Sequence, residues 1–236
     1  MGAEDPLARE KDLAARAAIR RVRSGMRVAL GTGSTAAFAV RALSEALGPE
    51  ISAVASSRAT EELAESLGVP VGPLRPNDAF DVMIDGADEV TPRLDLTKGG
   101  GGALFREKFL ARLAREVVII VDHTKLVSHL GSRSAIPVEV VPFARPVVVE
   151  QLVARRFGCA LRGSDGARGG TRTDNGNEIL DLRPPAPLDD VPAFEAELRS
   201  EPGVVETGIF VGLAHRVYVG LPDDKVEEVT AVAPAQ

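Results

Sequence analysis

Short runs of apolar residues alternate with helical patterns through the first half of the chain. The apolar runs cover residues 26–30, 51–55, 82–84 and 117–121, and the helical patterns cover residues 7–22, 35–47, 60–67 and 104–116. Strands that are apolar on both faces are typical of a parallel sheet covered by helices on both sides. The order of these elements therefore predicts an α/β fold with a doubly wound, mostly parallel sheet.

The pattern changes in the second half of the chain. Predicted strands at residues 138–141, 159–162, 178–182 and 203–206 combine with predicted helices at residues 147–157 and 191–199. This β-α-β-β-α-β order is typical of a ferredoxin-like α+β domain. We predict that residues 132–207 form this smaller domain. Residues 1–131 and 208–236 would form an α/β catalytic domain, with strands at 208–213 and 216–221 returning to the first sheet.

Composition excludes several classes of protein. A formal net charge of −6 argues against a dedicated nucleic-acid binder, and one Cys and three His are too few for a disulfide framework or a Cys/His zinc site. No apolar stretch approaches the roughly 18 residues of a membrane span. The charged N-terminus lacks the apolar centre of a signal peptide. We therefore expect a cytoplasmic protein without a metal site.

The first motif, GTGSTA at residues 31–36, lies where a predicted strand leads into a helix. Free N–H groups at a helix start, together with the hydroxyls of Thr32, Ser34 and Thr35, would bind an anion such as phosphate. The alternative is a glycine turn in which Ser34 or Thr35 serves only as an N-cap. The loop lacks the Lys of a Walker A motif and the third Gly of a dinucleotide fingerprint.

The second motif, DGADEV at residues 85–90, places three carboxylates at the end of an apolar strand. Ligands of open α/β sheets bind at this edge. Asp85 and Asp88 could hydrogen-bond sugar hydroxyls, transfer a proton or hold Mg²⁺. The alternative is a loop whose aspartates bond only their own backbone.

The third motif, KGGGGAL at residues 98–104, joins a lysine to four consecutive glycines immediately before a helix. Four glycines are costly to order, which favours a loop that brings bare N–H groups close to an anion. The alternative is a flexible linker. Lys125 follows the strand at 117–121 and is predicted at the same sheet edge as Asp85, with a surface lysine as the alternative.

Glu107 is predicted to lie on the apolar face of the helix at 104–116. Residues three and four positions away are apolar, and the charged residues Lys108, Arg112, Arg115 and Glu116 are predicted on the opposite side. A carboxylate on an apolar face is costly unless it is paired or protonated, and such a group is suited to general acid–base catalysis. The alternative is a salt bridge to a distant Arg or Lys. Cys159 is interpreted as a packing residue.

Seven segments, in this order, resemble ribose-5-phosphate isomerase of type A over nearly the whole chain. They are GTGSTA, SSRAT, DGADE, KGGGGALFREK, PVEVVPFAR, TDNGN and EPGVVETGIF. The resemblance implies interconversion of D-ribose 5-phosphate and D-ribulose 5-phosphate in the non-oxidative pentose phosphate pathway. It also implies no metal or organic cofactor, and a homodimer or homotetramer. Gly102 departs from the family, where alanine is common, and the stretch 132–135 is less typical.

The resemblance also implies which residues act. The proton-transferring glutamate falls on Glu107, and the substrate-binding residues fall on Thr32, Gly33, Ser34, Thr35, Asp85, Gly86, Ala87, Asp88, Lys98, Gly99, Gly100, Gly101 and Lys125. Lys98 and the N–H groups of Gly99 to Gly101 would stabilise an enediolate oxygen. Asp85 is the first choice and Asp88 the second for ring opening. The GTGST loop would hold the phosphate, and which lysine helps it is left open.

Two other functions are compatible with a fold of this class. One is a sugar-phosphate-sensing domain without catalytic activity, and the other is an acyl-CoA transferase, because one fold hosts many functions. A sensor would normally carry a DNA-binding helix-turn-helix and a basic face, whereas this chain is acidic. An assay for ribulose 5-phosphate formation would discriminate among the three functions.

Overall fold

The computed structural model describes residues 7–164 and 170–230. The chain divides into two units. One, here called the parallel unit, contains residues up to 87, residues 106–125 and residues from 212 onward. The other, here called the antiparallel unit, contains residues 88–105 and 126–211.

The parallel unit is built on one sheet of six strands with helices between them. Its strands are β1 (Arg27–Leu30), β2 (Ser52–Ala55), β3 (Phe80–Gly86), β6 (Ala114–Asp122), β12 (Arg216–Gly220) and β13 (Val226–Thr230). Its helices are α1 (Ala8–Ala18), α2 (Ser34–Ala46) and α3 (Arg58–Ser66), together with most of α4 (Leu104–Leu113). Short 3₁₀ turns cover Ile19–Arg21, Gly48–Glu50 and His123–Lys125.

The strand order β13-β12-β6-β3-β1-β2 creates a switch point beside β1. Strand β1 is parallel to β2 on one side and to β3 on the other, and only β13 is antiparallel to its neighbour. In sheets of this kind, ligands bind at the carboxyl ends of the strands where the order reverses. The loops after β1 and β3 start at that point.

The core of the parallel unit comes from the apolar strands and the inner faces of α1 and α2. Val28, Leu30, Ile84 and Ile120 are buried in one cluster with alanines of the two helices, such as Ala14. Small alanines let helices approach the sheet closely, and the aliphatic strands bury both of their faces. The predicted doubly wound α/β sheet is confirmed.

The antiparallel unit contains a four-stranded sheet in the order β10-β7-β9-β8 and a three-stranded sheet in the order β11-β5-β4. The first consists of β7 (Ile136–Val140), β8 (Gly158–Leu161), β9 (Glu178–Arg183) and β10 (Val204–Thr207), with α5 (Arg145–Ala154) and α6 (Val191–Ser200). The second consists of β4 (Glu89–Val90), β5 (Leu96–Thr97) and β11 (Ile209–Phe210). Every strand pair in both sheets is antiparallel, so the predicted β-α-β-β-α-β domain is present.

The boundaries of the antiparallel unit differ from the predicted 132–207. Thr97 pairs with both Glu89 and Ile209, so the three-stranded sheet draws residues 88–105 and 208–211 into this unit. Residues 126–131 also belong to it. The predicted strand at 208–213 therefore does not return to the first sheet, whereas the one at 216–221 does, as β12. Strands of two residues carry too little periodicity to be found in the sequence.

The predicted helix at 104–116 ends three residues early. Residues from Ala114 to Glu116 pair with β3, opposite Phe80 and Val82, and so begin β6. Glu116 consequently forms its ion pairs with Arg21 and Arg216 of the sheet region. Lys108, predicted on the charged side of this helix, is only 2 % exposed. No helix among residues 7–164 and 170–230 is both long and apolar enough to cross a membrane.

Candidate active site

The GTGSTA loop connects β1 to α2 in the parallel unit. Gly33 has φ 114°, a backbone conformation that favours glycine, and it occupies the N-cap position of α2 without a side-chain hydrogen bond. Ser34 and Thr35 are therefore the first residues of the helix, and the interpretation of either as the N-cap is wrong. Ser34 is exposed and Thr35 is buried. The start of α2 thus offers its N–H groups and a hydroxyl outward.

A cluster of four hydroxyls holds the GTGSTA loop. Thr32 Oγ1 lies 2.7 Å from Ser56 Oγ, 2.8 Å from Ser57 Oγ and 3.2 Å from Thr60 Oγ1. Thr60 also donates to the carbonyl of Gly31 at 3.0 Å, and Ser57 caps α3 by accepting from the N–H of Thr60. The SSRAT segment therefore supports the loop, a role that the sequence did not assign to it. The signal available was its position at the carboxyl end of β2.

Asp85 packs against Gly31 at the switch point of the sheet. The carboxylate is fully buried, with 0 % exposure, and its Oδ1 accepts from the N–H of Gly86 at 2.7 Å. A Cβ atom at position 31 would lie 1.9 Å from Asp85 Cγ, so only glycine leaves room for this carboxylate. Gly86 lies near Thr35 with less restriction, since a Cβ on it would lie 3.3 Å from Thr35 Cβ, a tight contact rather than an overlap. The structure thus brings the first two motifs together within the parallel unit.

The glycine loop belongs to the antiparallel unit and is ordered by hydrogen bonds. Gly99 has φ 103° and Gly102 has φ 82°, and the N–H of Gly102 donates to the carbonyl of Gly99 at 3.0 Å. The N–H of Gly100 donates to Asp88 Oδ2 at 2.8 Å. The alternative of a flexible linker is therefore wrong. One of the three N–H groups expected to face an oxyanion is already bound to Asp88.

Lys98 precedes the glycines and is buried, with 3 % exposure. Its backbone N–H donates to the carbonyl of Gly208 at 2.8 Å, which attaches it to the segment before β11. Its ammonium lies 5.4 Å from the ring centroid of Phe210, a cation–π arrangement. Phe210 was not predicted as a site residue. A lysine that keeps its charge in a buried position needs such partners.

Glu89 is a second buried acid that the sequence did not single out. Its carboxylate accepts from the N–H groups of Gly131, Arg133 and Ser134 at 2.6, 2.7 and 2.9 Å, and from the hydroxyl of Thr97 at 2.8 Å. Burial by itself raises the pKa of Glu89, but these hydrogen bonds outweigh it and hold the pKa below its ordinary value. Glu89 therefore ties the stretch 131–134 to the strand that begins beside Asp88.

Glu107 lies in α4 and is only 1 % exposed. Leu110 and Ala111, three and four residues later on the same helix, are also buried. Glu107 thus shares a buried helix face with these apolar residues, as the sequence predicts.

The carboxyl end of β6 carries Asp122 and leads to Lys125. Asp122 is fully buried, and its Oδ1 accepts from the N–H of Thr124 at 3.0 Å and from the Thr124 hydroxyl. Its Oδ2 has no hydrogen-bond partner within the described chain. Lys125 is half-buried in the 3₁₀ turn that follows. His123 Nδ1 lies 2.6 Å from Glu10 Oε2.

Two further predictions concern metals and the single cysteine. Within residues 7–164 and 170–230, no three or more His, Cys, Asp or Glu residues are grouped so that they could hold a metal ion. Burial and the charge of Asp181 raise the pKa of the Cys159 thiol, which disfavours the reactive thiolate. This agrees with the interpretation of Cys159 as a packing residue.

Comparison with known proteins gives a consistent result. The family described as ribose 5-phosphate isomerase A (phosphoriboisomerase A) matches residues 52–224. The ribose-5-phosphate isomerase A of Deinococcus radiodurans is 45 % identical over 224 residues, which are 93 % of this chain and 97 % of that protein. The corresponding protein of Chloroflexus aurantiacus is 46 % identical over 225 residues, covering 93 % and 92 %.

Solved structures show the same similarity. A D-ribose-5-phosphate isomerase in complex with phospho-erythronic acid matches with a TM-score of 0.89 at 37 % identity, covering 94 % of this chain and 97 % of that one. The ribose 5-phosphate isomerase A of Methanocaldococcus jannaschii matches with a TM-score of 0.88 at 37 % identity, covering 95 % and 99 %.

Proposed function

The chain belongs to the ribose 5-phosphate isomerase A family, and we propose from this premise how its residues interconvert D-ribose 5-phosphate and D-ribulose 5-phosphate. The reaction is an aldose–ketose isomerisation, a step of the non-oxidative pentose phosphate pathway. It moves one hydrogen from C2 to C1 and needs a base, a stabiliser for the enediolate oxygens and a site for the phosphate. The family comparisons do not favour the two alternatives, a sensing domain and an acyl-CoA transferase.

Glu107 is the base in this proposal, and its burial is the observation that carries it. The carboxylate takes the proton from C2 of the open-chain aldose, the C–H electron pair forms the C1=C2 double bond, and the aldehyde oxygen gains the negative charge. The same carboxyl group then returns the proton to C1, while the proton on O2 moves to O1 and C2 becomes the ketone. A single buried carboxylate can serve both adjacent carbons.

Lys98 and the glycine loop stabilise the enediolate. A fixed ammonium and aligned N–H groups stabilise charge that develops in the transition state. The N–H of Gly100 is bound to Asp88, so the oxyanion donors in our proposal are Lys98 and the N–H groups of Gly99 and Gly101. The cation–π partner of Lys98, Phe210, supports a charged and positioned ammonium.

Asp85 and Asp88 are proposed to open the furanose ring, in that order of preference. Ring opening needs a proton to leave O1 and another to reach O4, and a carboxyl group within hydrogen-bond reach performs both transfers. Asp85 is held by Gly31 and by the N–H of Gly86, which supports its assignment. Asp88 already accepts a hydrogen bond from the N–H of Gly100, and we therefore place it second as the ring-opening acid.

The phosphate is proposed to bind at the start of α2. The N–H groups at Gly33, Ser34 and Thr35 point out of a helix N-terminus, where the helix dipole favours negative charge. The hydrogen bonds between Thr32 and the hydroxyls of Ser56 and Ser57 fix the conformation of this loop. Lys125 adds a positive charge at the same edge of the parallel sheet. It follows the carboxyl end of β6, and the GTGSTA loop follows the carboxyl end of β1.

Two experiments test the reaction and the base. In D₂O, solvent deuterium at C1 of ribulose 5-phosphate, which proton NMR detects, would support proton transfer through a base, because a hydride shift does not exchange with solvent. Glu107→Gln is expected to lower kcat by about a thousandfold or more with little change in KM, because the lost group acts in the transition state. Glu65→Gln, an exposed glutamate of α3 in the same unit, is the matched control and is expected to remain active.

Near-normal turnover by Glu107→Gln would remove Glu107 as the base. In addition, activity is expected to survive dialysis against a strong chelator. Loss of activity that Mg²⁺ restores would make the aspartates of the second motif metal ligands.

We also propose a homodimer or homotetramer in the cytoplasm. Phe143, just before α5, is 96 % exposed and Val147, within α5, is 58 % exposed, and apolar side chains this exposed favour contact with another copy. Light scattering after size-exclusion chromatography measures the mass directly. A monomeric mass for the native chain would overturn the proposal, and Phe143→Asp is expected to lower the mass if this surface forms the contact.

A further inference from the structure

Arg162 follows β8 and is anchored to the neighbouring strand. Its Nε donates to Asp181 Oδ2 at 3.0 Å and its Nη2 donates to Asp181 Oδ1, so the two side chains form a two-pronged ion pair. Asp181 lies on β9 opposite Ala160 of β8. Both side chains are largely buried. Such a planar, two-pronged pair fixes the orientation of a guanidinium group.

The remaining nitrogen of Arg162 reaches the glycine loop. Nη1 donates to the carbonyl of Gly99 at 2.6 Å and to the carbonyl of Gly100 at 3.2 Å. The Gly99 carbonyl and the Gly100 N–H belong to one peptide group, and this N–H donates to Asp88 Oδ2 at 2.8 Å. The carbonyl and the N–H of a trans peptide point in opposite directions. That peptide is therefore held from both sides, by Arg162 and by Asp88.

Packing holds Gly99, where a Cβ would lie 2.9 Å from Leu104 Cβ, but not the exposed glycines that follow it. Gly100 and Asp88 border a cavity of about 580 Å³ that Arg162, Asp181 and Arg183 also line. Gly100 and Gly101 are exposed. Glycines without side-chain contacts have the largest conformational freedom, so an unclamped loop would sample many orientations of its N–H groups. Hydrogen bonds to the carbonyls restrict these orientations.

We propose that Arg162 is a positioning residue for the reaction, one that orients the glycine loop toward the enediolate without touching it. The inference rests on the proposed role of that loop. With the Gly99–Gly100 peptide fixed, the N–H groups of Gly99 and Gly101 point in set directions. The positive charge at the Gly100 carbonyl also polarises the Gly100–Gly101 peptide and makes the N–H of Gly101 a better donor. The ground-state substrate gains little from this, because the charge on O1 develops only in the transition state.

The test compares Arg162→Gln and Arg162→Lys with Arg183→Gln. Arg183 borders the same cavity and forms no side-chain hydrogen bond or ion pair with the described residues, so its variant is the matched control for charge. Both changes at 162 are expected to lower kcat by about tenfold to thirtyfold with KM within about twofold. Lysine is not expected to restore kcat, since one ammonium cannot bind Asp181 at two points and both carbonyls. Arg183→Gln is expected to match the native enzyme.

Two further measurements separate positioning from a structural effect. Phospho-erythronic acid has a planar carboxylate where the enediolate oxygens form, so its inhibition constant is expected to rise about tenfold in Arg162→Gln, whereas inhibition by inorganic phosphate stays unchanged. Amide hydrogen exchange across residues 98–103 is expected to rise, while exchange in β9 is unaltered. A general loss of structure would instead raise exchange in β9 and weaken both inhibitors.

The inference fails if Arg162→Gln keeps native kcat and native affinity for phospho-erythronic acid. It also fails if kcat falls only in step with a lower Tm, or if Arg162→Lys restores kcat in full. None of these results affects the assignment of Glu107, which the isotope experiment and Glu107→Gln test separately. Conversely, an active Glu107→Gln variant would overturn the proposed base. It would not change what the loop measurements say about Arg162.

Discussion

The two units arrange their candidate site residues by different physical means. In the parallel unit, Gly31, Asp85 and Asp122 lie at the carboxyl ends of neighbouring parallel strands, and close backbone packing sets their positions. In the antiparallel unit, the exposed part of a loop of four glycines is held by hydrogen bonds to side chains that lie elsewhere along the chain. Arg162, for example, is 63 residues from Gly99.

This difference between the units indicates which substitutions should impair the candidate site residues of each. A site built on strand ends tolerates change in its surroundings but not a Cβ where the backbone must touch a carboxylate. A site built on a hydrogen-bonded loop is sensitive to distant polar residues that never meet the substrate. Four predictions test this contrast, in decreasing order of expected effect.

Gly31→Ala tests the close packing of the parallel unit. The new Cβ would lie 1.9 Å from Asp85 Cγ, and both the backbone and the carboxylate are buried, so Asp85 must move. We expect turnover to fall by about a thousandfold, because a displacement of about 1 Å already costs about a hundredfold. Gly72→Ala, with open space at its Cβ, is the control and should behave as the native chain. An active Gly31→Ala variant would show that Asp85 is not held by this contact.

Lys98→Met tests whether the antiparallel unit contributes charge. Methionine can fill much of the same buried space beside Phe210 but brings no positive charge. We expect kcat to fall by about a hundredfold, the loss typical of one oxyanion donor. Lys225→Met, which removes an exposed lysine paired with Asp223, is the control. If KM rose while kcat stayed native, Lys98 would serve the phosphate rather than the enediolate.

Ser34→Ala and Thr35→Val test the anion site of the parallel unit. Each removes one hydroxyl at the start of α2 and leaves the helix N–H groups in place. We expect KM to rise by a factor that corresponds to about 1–2 kcal/mol with kcat nearly unchanged. Ser44→Ala on the same helix removes a hydroxyl bonded to the Leu67 carbonyl and should affect stability only. Native KM in both site variants would place the phosphate elsewhere.

Glu89→Gln tests the hydrogen-bonded support of the antiparallel unit. The native carboxylate has a lowered pKa, so its stabilisation is complete above its ordinary value of 4.5 and is lost as the pH falls through its folded value. We expect the variant to lower the free energy of opening around residues 131–134 by about 1–2 kcal/mol at pH 7. Amide hydrogen exchange of that segment measures it, with the exposed Glu150→Gln as control.

The pH dependence provides the sharper part of this last test. Since a protonated Glu89 loses its charged hydrogen bonds, the native chain and Glu89→Gln should converge in stability at acid pH. Equal differences at neutral and at acid pH would show that the charge of Glu89 contributes nothing. Such a result would also weaken the contrast between the units, because the stretch 131–134 would then be held by packing rather than by charged hydrogen bonds.

The sequence predicted the parts of the molecule that depend on local pattern. Aliphatic strands and helical periodicity were sufficient for the parallel sheet and for the β-α-β-β-α-β order. The edge position of Asp85 followed from the strand before it. The burial of Glu107 followed from its apolar neighbours. Helix and strand ends shifted by a few residues, as pairing of Ala114 with Phe80 illustrates.

What the sequence left out depends on contacts between distant residues. The two-residue strands of the three-stranded sheet exist only because Thr97 pairs with partners from two other segments. Nothing near Arg162 in the chain indicates that it bonds the Gly99 carbonyl, and Glu89 gave no sign of its three N–H partners. The burial of Lys108 was not predicted either, because a helical wheel carries no information on what covers a charged residue.

The contact between Gly31 and Asp85 has an evolutionary consequence. Asp85 Cγ lies 1.9 Å and Asp85 Cβ lies 2.5 Å from the point that a methyl group at position 31 would occupy. Shortening residue 85 to alanine therefore does not make alanine at 31 tolerable, whereas residue 85 can be shortened without any change at position 31. We therefore expect glycine at 31 to persist among homologues even where the acid at 85 has been lost.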